Sequence, residues 1–414
     1  MSQTTYIDRL IHSEIGRNNL AGANILLLQN GNELYSGSYG MADIGRGIPM
    51  KRDSLFRIFS MTKPITCAAT MLLMERGLID LYEPVCKYLP GFSNQTVMQP
   101  DGSTIPLDRD VQIRDLLNMT SGISYPDDCT PVGKMVAALF DEMMAAQDAG
   151  QGYSTVTLAN KLGQIPLCFQ PGTKWQYGAS ADVLGAVIEV VSGMRFSDFL
   201  KKEFFIPLDM PDTDFYVPDD KKYRFTQLYR CSPITESSEN NGLTNVVDSI
   251  SSSDWMAADR MYIRPELGKN LGMEGYDHAP AFESGGAGLV STVDDYAHFA
   301  TMLLNKGTYN GKRILSPKTV AFMCSPQLDA SYTDPHCWDS LRGYRYGNLM
   351  RHMATPSLDL TNADIGEFGW DGWCGTYFII DPKENFIMLY FVQRCDTGCN
   401  EVTRKLKNIS YSLL

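Results

Sequence analysis

Ser60 and Lys63 stand three residues apart, at the start of an apolar stretch that ends at Gly77. Residues at this spacing lie on one face of a helix, one turn from each other. A serine hydroxyl is a poor nucleophile until a base takes its proton, and a partly buried lysine one turn away can act as that base or tune it. Backbone N–H groups at a helix start also point at an oxyanion formed there. The pair predicts covalent catalysis at Ser60.

The same pair has a plainer interpretation, in which Ser60 caps a helix and Lys63 lies on its surface. The context favours the first interpretation. Pro64 falls in the first helical turn, where proline is tolerated, and Gly77 lies where a C-terminal cap belongs. The residues between them are apolar nearly all round the helix, which predicts that this helix is buried. A buried helix that begins with a serine and a lysine needs a reason for their polarity.

Charge and hydropathy exclude several classes of partner. The chain has 414 residues and a formal net charge of −12, from 36 basic and 48 acidic residues. This balance, without a basic patch, argues against nucleic acid or an anionic membrane as a partner. No uninterrupted apolar run reaches about 18 residues, so we expect no transmembrane helix. The first residues lack the basic and apolar segments of a signal peptide. We therefore expect a cytoplasmic protein that acts on a small molecule.

The cysteines and histidines do not predict a metal site. The ten cysteines are scattered singly, without a CxxC pair, and in the absence of an export signal this predicts free thiols. The five histidines show no HExxH spacing. Asp334, His336 and Cys337 have ligand-type side chains but no second cluster nearby, and metal sites need several converging ligands. We expect neither a metal nor a cofactor.

The elements that must position Ser60 and Lys63 follow from periodicity and turn residues. Asn30-Gly31 between two strand-like runs predicts a hairpin, and residues 376–381 and 386–393, joined by 382–385, predict a second. Residues 55–205 are predicted to be mostly helical, with loops at 84–106 and 124–128. Further helices are expected at residues 6–18 and 400–413. Another is expected to follow residues 285–292 and to run through Tyr296 and Phe299 to Leu304.

This order of elements predicts the α+β class. The simplest packing is an antiparallel β-sheet flanked by helices and built from both ends of the chain, residues 1–54 and 285–414. A mostly helical domain, residues 55–284, is then inserted between them. Residues 235–283 are rich in Ser, Asn, Asp and Gly, which predicts an irregular surface excursion. A cleft at the junction of two such domains is the expected place for a site.

Five ordered segments resemble the serine β-lactamase and penicillin-binding-protein superfamily, over nearly the whole chain. Within it they are most similar to class C β-lactamase-like esterases, the family VIII carboxylesterases. The segments that carry the resemblance are Leu55–Thr66, Val111–Gly122, Pro171–Tyr177, Gly285–Thr292 and Phe368–Thr376. The first contains the S-x-x-K arrangement of active-site serine enzymes. The resemblance implies the β-lactamase/transpeptidase-like fold.

The resemblance also implies roles for matching residues. Ser60 is then the acylated nucleophile, Lys63 tunes the proton network, and Tyr177 is the base partner, with a pKa lowered from about 10 by Lys63. The backbone N–H groups of Ser60 and Trp373 form the oxyanion hole. Gly372 lets substrate approach the strand backbone. The plainer alternative, that Tyr177, Trp370 and Trp373 are core aromatic residues, stays open at this point.

Two departures from the family pattern bear on the substrate. Ala179 stands where many relatives have the Asn of Tyr-x-Asn, so the amide that would bind a substrate carbonyl is missing. Trp370-Asp371-Gly372 stands where β-lactamases and peptidases have Lys-Thr-Gly or His-Thr-Gly. Trp370 cannot pair with a substrate carboxylate, and an ionised Asp371 would repel it. Trp at this position is typical of the esterases.

These features predict a serine hydrolase that acts on small neutral carboxylic esters. Trp370, Asp371 and Gly372 are its expected substrate-binding residues. The alternatives are a β-lactamase, a D-amino-acid peptidase or amidase, an acyltransferase, and a non-hydrolytic penicillin-binding-like protein. An adduct on Ser60 after treatment with an activated ester would separate an enzyme from a scaffold.

Overall fold

The computed structural model describes residues 4–231, 261–263, 271, 275–332, 338–395 and 397–414. The helices in these ranges are α1 Thr5–Gly16, α2 Thr62–Glu75, α3 Ile113–Leu117, α4 Pro131–Asp148, α5 Thr155–Leu162, α6 Ser180–Ser192, α7 Phe196–Leu200, α8 Val293–Leu304, α9 Pro317–Met323, α10 Pro356–Asp359 and α11 Glu401–Tyr411. The strands in these ranges are β1 Gly22–Gln29, β2 Asn32–Asp43, β3 Ile48–Pro49, β4 Phe56–Arg57, β5 Thr96–Met98, β6 Thr104–Pro106, β7 Tyr229–Cys231, β8 Met261–Ile263, β9 Val290–Ser291, β10 Thr308–Tyr309, β11 Lys312–Arg313, β12 Tyr344–Gly347, β13 Met350–Met353, β14 Phe368–Asp371, β15 Tyr377–Asp381 and β16 Phe386–Phe391. None of these helices is both long and apolar enough to cross a bilayer.

An eight-stranded antiparallel sheet has the strand order β12-β13-β14-β15-β16-β1-β2-β3. Both predicted hairpins are confirmed, because β1 pairs with β2 and β15 pairs with β16. Asn30 and Gly31 have φ angles of 53° and 77°, as a type I′ turn requires. The sheet takes its strands from residues 22–49 and 344–391, and the described residues between them contain helices α2–α9 and only short strands of two or three residues. The α+β class is therefore confirmed, and the division into two domains stays a prediction.

Helices cover both faces of this sheet, because alternate residues of a strand point to opposite sides. Leu27 of β1 and Met388 of β16 pack with α1 and α11 in one apolar cluster. Leu26 and Leu389, one residue along each strand, point the other way into the main core. That core also contains Tyr296 of α8 and most of the buried residues of α2 and α6. The predicted burial of α2 is confirmed, since its residues from Thr62 to Leu73 are buried.

The two irregular segments predicted at 84–106 and 235–283 have different outcomes in the structure. The predicted loop at 84–106 contains a short hairpin, in which β5 pairs with β6. Asp101-Gly102 is a turn signal within this loop, and Gly102 has a φ of 84°, which glycine adopts without strain. Most of the predicted surface excursion at 235–283 lies outside the described residues. Its last described part, from Gly275, contains neither helix nor strand.

Three segments meet where α2 begins. A 3₁₀ turn over Phe59–Met61 runs directly into α2. On one side, β4 pairs with β9, and the Ile58 N–H donates to the Leu289 carbonyl at 3.0 Å. On the other side, the Thr376 hydroxyl donates to the Ile58 carbonyl at 3.1 Å. The residues around Ser60 are therefore fixed between the start of β9 and the turn that joins β14 to β15.

Candidate active site

Ser60 and Lys63 lie side by side at the start of α2. Ser60 is in the 3₁₀ turn, and Nζ of Lys63 lies 3.2 Å from its Oγ. The residue before it, Phe59, has a φ of 43°, a conformation that costs free energy for a non-glycine residue and often marks a functional site. Lys63 has no exposed surface. The surface interpretation of Lys63 is wrong, and its burial is more complete than the sequence indicated.

Lys63 is held by two further oxygen atoms. Its Nζ lies 2.8 Å from the Gly286 carbonyl and 3.0 Å from the Tyr125 hydroxyl. Burial lowers the pKa of Lys63 from 10.5 to about 7, because a charged amine loses its hydration, while Asp182 and Asp371 oppose this shift. A substantial fraction of Lys63 is thus neutral near pH 7. A neutral amine at this distance can accept the proton of Ser60.

Tyr177 lies beside this pair, and its hydroxyl faces Ser60 and Trp370. Trp370 Nε1 donates to the Tyr177 oxygen at 3.3 Å. Desolvation raises the pKa of Tyr177 above its usual value, although hydrogen bonds with Ser60 and Trp370 oppose the shift. The expected lowering of this pKa is therefore wrong. The reason is burial of the phenol, and Nζ of Lys63 lies over the face of the Tyr177 ring, 4.5 Å from its centroid, rather than against the hydroxyl.

The predicted third motif forms the end of β14. Trp370 is buried, and Asp371 accepts a hydrogen bond from Arg351 of the neighbouring strand β13. The Arg351 side chain has no exposed surface and lies between aromatic rings, 5.5 Å from that of Trp370 and 5.0 Å from that of Tyr377. This cation offsets the charge of Asp371, so the expected repulsion of a substrate carboxylate by Asp371 is reduced. Because Arg351 is buried behind Asp371, it does not replace the missing motif lysine.

Gly372 and Trp373 form the turn after β14. A Cβ atom on Gly372 would lie 2.2 Å from Oγ1 of Thr376 and 2.5 Å from the Ile58 carbonyl oxygen. Glycine is therefore required here for packing against the segment that carries Ser60, a reason that the sequence did not indicate. The Trp373 ring packs edge-to-face on Phe59, with 5.9 Å between centroids. The two predicted oxyanion-hole residues thus belong to segments in direct contact.

A cleft of about 330 Å³ opens over Ser60. Its walls include the predicted residues Tyr177, Trp370, Asp371 and Trp373. They also include Trp338, whose ring centroid lies 4.8 Å from that of Tyr177. The walls nearest the serine are therefore largely aromatic, and no basic side chain lines this cleft within the described ranges.

Four residues of the site were missed from the sequence: Tyr125, Asp182, Trp338 and Arg351. Asp182 carried a usable signal, because it is an acidic residue near the start of a mostly apolar helix. Tyr125, Trp338 and Arg351 reach the site from distant parts of the chain and carried none. The ligand-type residues 334–337 lie outside the described residues. Among the described residues, no group of three or more His, Cys, Asp or Glu side chains is arranged to hold a metal ion.

Comparisons with known proteins show the family and the fold of the chain. The Beta-lactamase family profile matches residues 7–407. Protein Rv1367c of Mycobacterium tuberculosis is 30% identical over 391 residues, which are 91% of this chain and 86% of that protein. Esterase EstB of Burkholderia gladioli is 31% identical over 218 residues, 52% of this chain and 53% of that protein. The solved structure of EstCE1, described as a hydrolase with promiscuous acyltransferase activity, superposes with a TM-score of 0.76 at 22% identity, covering 100% of this chain and 98% of that one.

Proposed function

Because this chain belongs to the Beta-lactamase family, we propose that it is a serine hydrolase that forms an acyl-enzyme on Ser60 and acts on small neutral carboxylic esters. Esterase and acyl-transferring relatives support the broader class of a hydrolase or acyl-transferring enzyme. The observation that carries the proposal is the buried amine of Lys63, 3.2 Å from the Ser60 hydroxyl, with a pKa of about 7. An amine with this pKa is a base matched to neutral pH.

In the first half of the reaction, neutral Lys63 accepts the proton of Ser60 as Oγ attacks the ester carbonyl carbon. The negative charge that develops on the carbonyl oxygen is stabilised by the backbone N–H groups of Ser60 and Trp373. Tyr177 keeps its proton near neutral pH because desolvation raises its pKa. It therefore acts as the acid that donates a proton to the leaving alkoxide, rather than as the initial base.

In the second half, water attacks the acyl-enzyme and Ser60 leaves. The tyrosinate left by the first step takes a proton from this water, and the Lys63 ammonium ion returns its proton to the Ser60 oxygen. Lys63 and Tyr177 return to their starting states, so one ester and one water give one acid and one alcohol.

The neutral substrate follows from the charges around the cleft. A β-lactam carries a carboxylate, and recognition of such a group gains from a charge-assisted hydrogen bond. Arg351 is buried and already bonded to Asp371, and Ala179 has no amide. The missing bond is worth roughly 1.5–3 kcal/mol, or about ten- to a hundred-fold in rate. We therefore expect higher kcat/KM for p-nitrophenyl acetate or butyrate than for a chromogenic cephalosporin.

The nucleophile is tested by mass spectrometry after treatment with a fluorophosphonate. The expected result is a single adduct on Ser60, absent from the Ser60→Ala variant. Ser340→Ala is a matched control, because Ser340 lines the same cleft without a lysine one turn away. An unmodified Ser60, or a cephalosporin hydrolysed better than the esters, would contradict the proposal.

Acyl transfer to an alcohol is the second candidate, favoured by the description of EstCE1. The same acyl-enzyme would then react with an alcohol in place of water. Product analysis with p-nitrophenyl butyrate and added methanol or butanol separates the two. A new ester formed in preference to butyrate identifies a transferase, and butyrate as the main product identifies a hydrolase.

A further inference from the structure

Asp182 is a buried carboxylate for which the proposed reaction has assigned no role. It stands in the first turn of α6, with 4% of its surface exposed. Its Oδ1 accepts a hydrogen bond from the Ser284 hydroxyl at 2.5 Å and another from the Gly286 N–H at 3.0 Å. A buried carboxylate costs free energy unless it is bonded or paired. Both donors are neutral, so they stabilise this charge without cancelling it.

The same turn connects Asp182 to Lys63. The Gly286 N–H is bonded to Asp182, and the Gly286 carbonyl is bonded to Nζ of Lys63 at 2.8 Å. The Ala287 N–H donates to the Ser284 hydroxyl oxygen at 3.0 Å, which fixes that hydroxyl in turn. Asp182 therefore holds Gly286, the residue whose carbonyl accepts a hydrogen bond from the amine, and does so both directly and through Ser284.

The space around Gly286 supports this connection. A Cβ atom there would lie 2.8 Å from the Tyr125 hydroxyl and 2.9 Å from Oδ2 of Asp182. The α-carbon of Gly286 is thus enclosed between two groups that surround Lys63. Little movement of the Gly286 carbonyl is possible while Asp182 stays in place.

Asp182 also acts on Lys63 through its charge. Among the described residues, the titratable groups that face Lys63 are Asp182 from α6, Asp371 from β14, the hydroxyl of Tyr125 and the ring of Tyr177. Of the two carboxylates, Asp182 opposes the loss of charge on Lys63 more strongly than Asp371 does. The charge of Asp371 is offset by Arg351, whereas the bonds to Asp182 come from neutral groups.

We propose that Asp182 is a positioning residue for the reaction. It holds the Gly286 carbonyl against Lys63, and its charge favours the ammonium ion that Lys63 becomes when it accepts the Ser60 proton. In this step the Oγ–H bond breaks and the proton joins Nζ, while Oγ bonds to the carbonyl carbon and the π electron pair of the C=O bond moves to the carbonyl oxygen. Asp182 remains a carboxylate throughout and touches neither the substrate nor the reacting atoms. This inference rests on the proposed function.

The test compares two buried carboxylates that are held in the same way. Asp295 of α8 has 3% of its surface exposed and is bonded to the Thr213 hydroxyl and the Asp212 N–H, each at 2.8 Å. Asp182→Asn and Asp295→Asn therefore each replace a buried, hydrogen-bonded carboxylate with a neutral amide. Only the carboxylate of Asp182 is connected to Lys63. The readouts are kcat and the pH dependence of kcat/KM for p-nitrophenyl butyrate, with thermal unfolding to compare stability.

Removal of the Asp182 charge makes the ammonium form of Lys63 less favourable and so lowers the pKa of Lys63. Because Lys63 must be neutral to act, the pH below which activity falls should decrease. We expect a decrease of about one pH unit in Asp182→Asn and a loss of kcat of about tenfold. In Asp295→Asn we expect this pH to stay at the wild-type value. Equal losses of activity and an unmoved pH profile in both variants would show that Asp182 only supports the fold, and would overturn the inference.

Ser284→Ala gives a second, milder test if Asp182→Asn does not fold. It removes one bond to the carboxylate but keeps the carboxylate itself, and we expect kcat to fall severalfold with KM nearly unchanged. Wild-type kcat in this variant would overturn the inference.

Different results would contradict the proposed function and the role of Asp182. A wild-type protein that forms no Ser60 adduct overturns the proposed function and this inference with it. Normal wild-type activity with an unmoved profile in Asp182→Asn overturns this inference alone.

Discussion

Replacement of Lys63 by methionine should change how the stability of the protein depends on pH. Methionine is close to lysine in length and carries no charge, so it fills the same buried space. In the folded protein, burial lowers the pKa of Lys63 from 10.5 to about 7. The unfolded chain keeps the ordinary value, so between these two pH values the unfolded state binds more protons. Stability therefore rises with pH across this window in the wild type.

The magnitude follows from the size of the shift. The full difference between the two pKa values corresponds to about 5 kcal/mol, a large part of the total stability of a typical protein. Between pH 7 and pH 9, the wild type should gain about 2 kcal/mol relative to Lys63→Met. The lost hydrogen bonds to Gly286 and Tyr125 add a constant offset, which does not alter this slope.

Urea denaturation of the wild type and Lys63→Met at pH 7, 8 and 9 measures the effect. Contributions from other titrating groups cancel in the difference between the two proteins. Lys134→Met, at an exposed position on α4, is the control and should follow the wild-type curve. If the stabilities of the wild type and Lys63→Met stay parallel from pH 7 to 9, Lys63 keeps its proton in the folded protein. The argument for a neutral amine as the base would then be refuted.

Three further outcomes are expected. The kcat/KM for p-nitrophenyl butyrate should fall about tenfold per pH unit below pH 7, because Lys63 must be neutral to act; a flat profile from pH 5 to 8 would contradict this. Lys63→Met combined with Tyr177→Phe should lose little more activity than either single variant, since the two act as a unit; losses that multiply would indicate independent roles. Arg351→Met should lower stability by about 3 kcal/mol, because it leaves Asp371 without its partner, and an added Asp371→Asn should restore most of that loss. Urea denaturation of these variants checks the last point, and a double variant no more stable than Arg351→Met would refute it.

The parts of the fold that follow from local sequence were predictable. The hairpin at Asn30-Gly31 needs only two residues with positive φ between strand-forming runs, and both are visible in the sequence. The helix that begins at Ser180 has its end marked by Gly193, which adopts the left-handed conformation there. The five family segments, taken in order, predict that Ser60, Lys63 and Tyr177 belong to one catalytic site.

The features that depend on long-range packing were not predictable. The pKa of Tyr177 depends on burial and on contacts with Ser60 and Trp370, which come from distant parts of the chain. Arg351 faces Asp371 only because β13 and β14 are neighbours in the sheet. The requirement for glycine at position 372 comes from contact with Ile58, more than 300 residues away in the chain.

The pairing of β1 with β16 has a consequence for synthesis on the ribosome. Asn24 lies opposite Phe391, so almost the whole chain must be made before the central pair of the sheet can form. Until then β1, whose residues become buried in the finished sheet, can gain no stability from its partner on that side. Contacts between residues this far apart in sequence form slowly. Until β1 pairs with β16, its unpaired apolar strand is prone to aggregation. Productive folding in a cell should therefore depend on protection of the nascent chain, and slower synthesis of the last strands would prolong the period of risk.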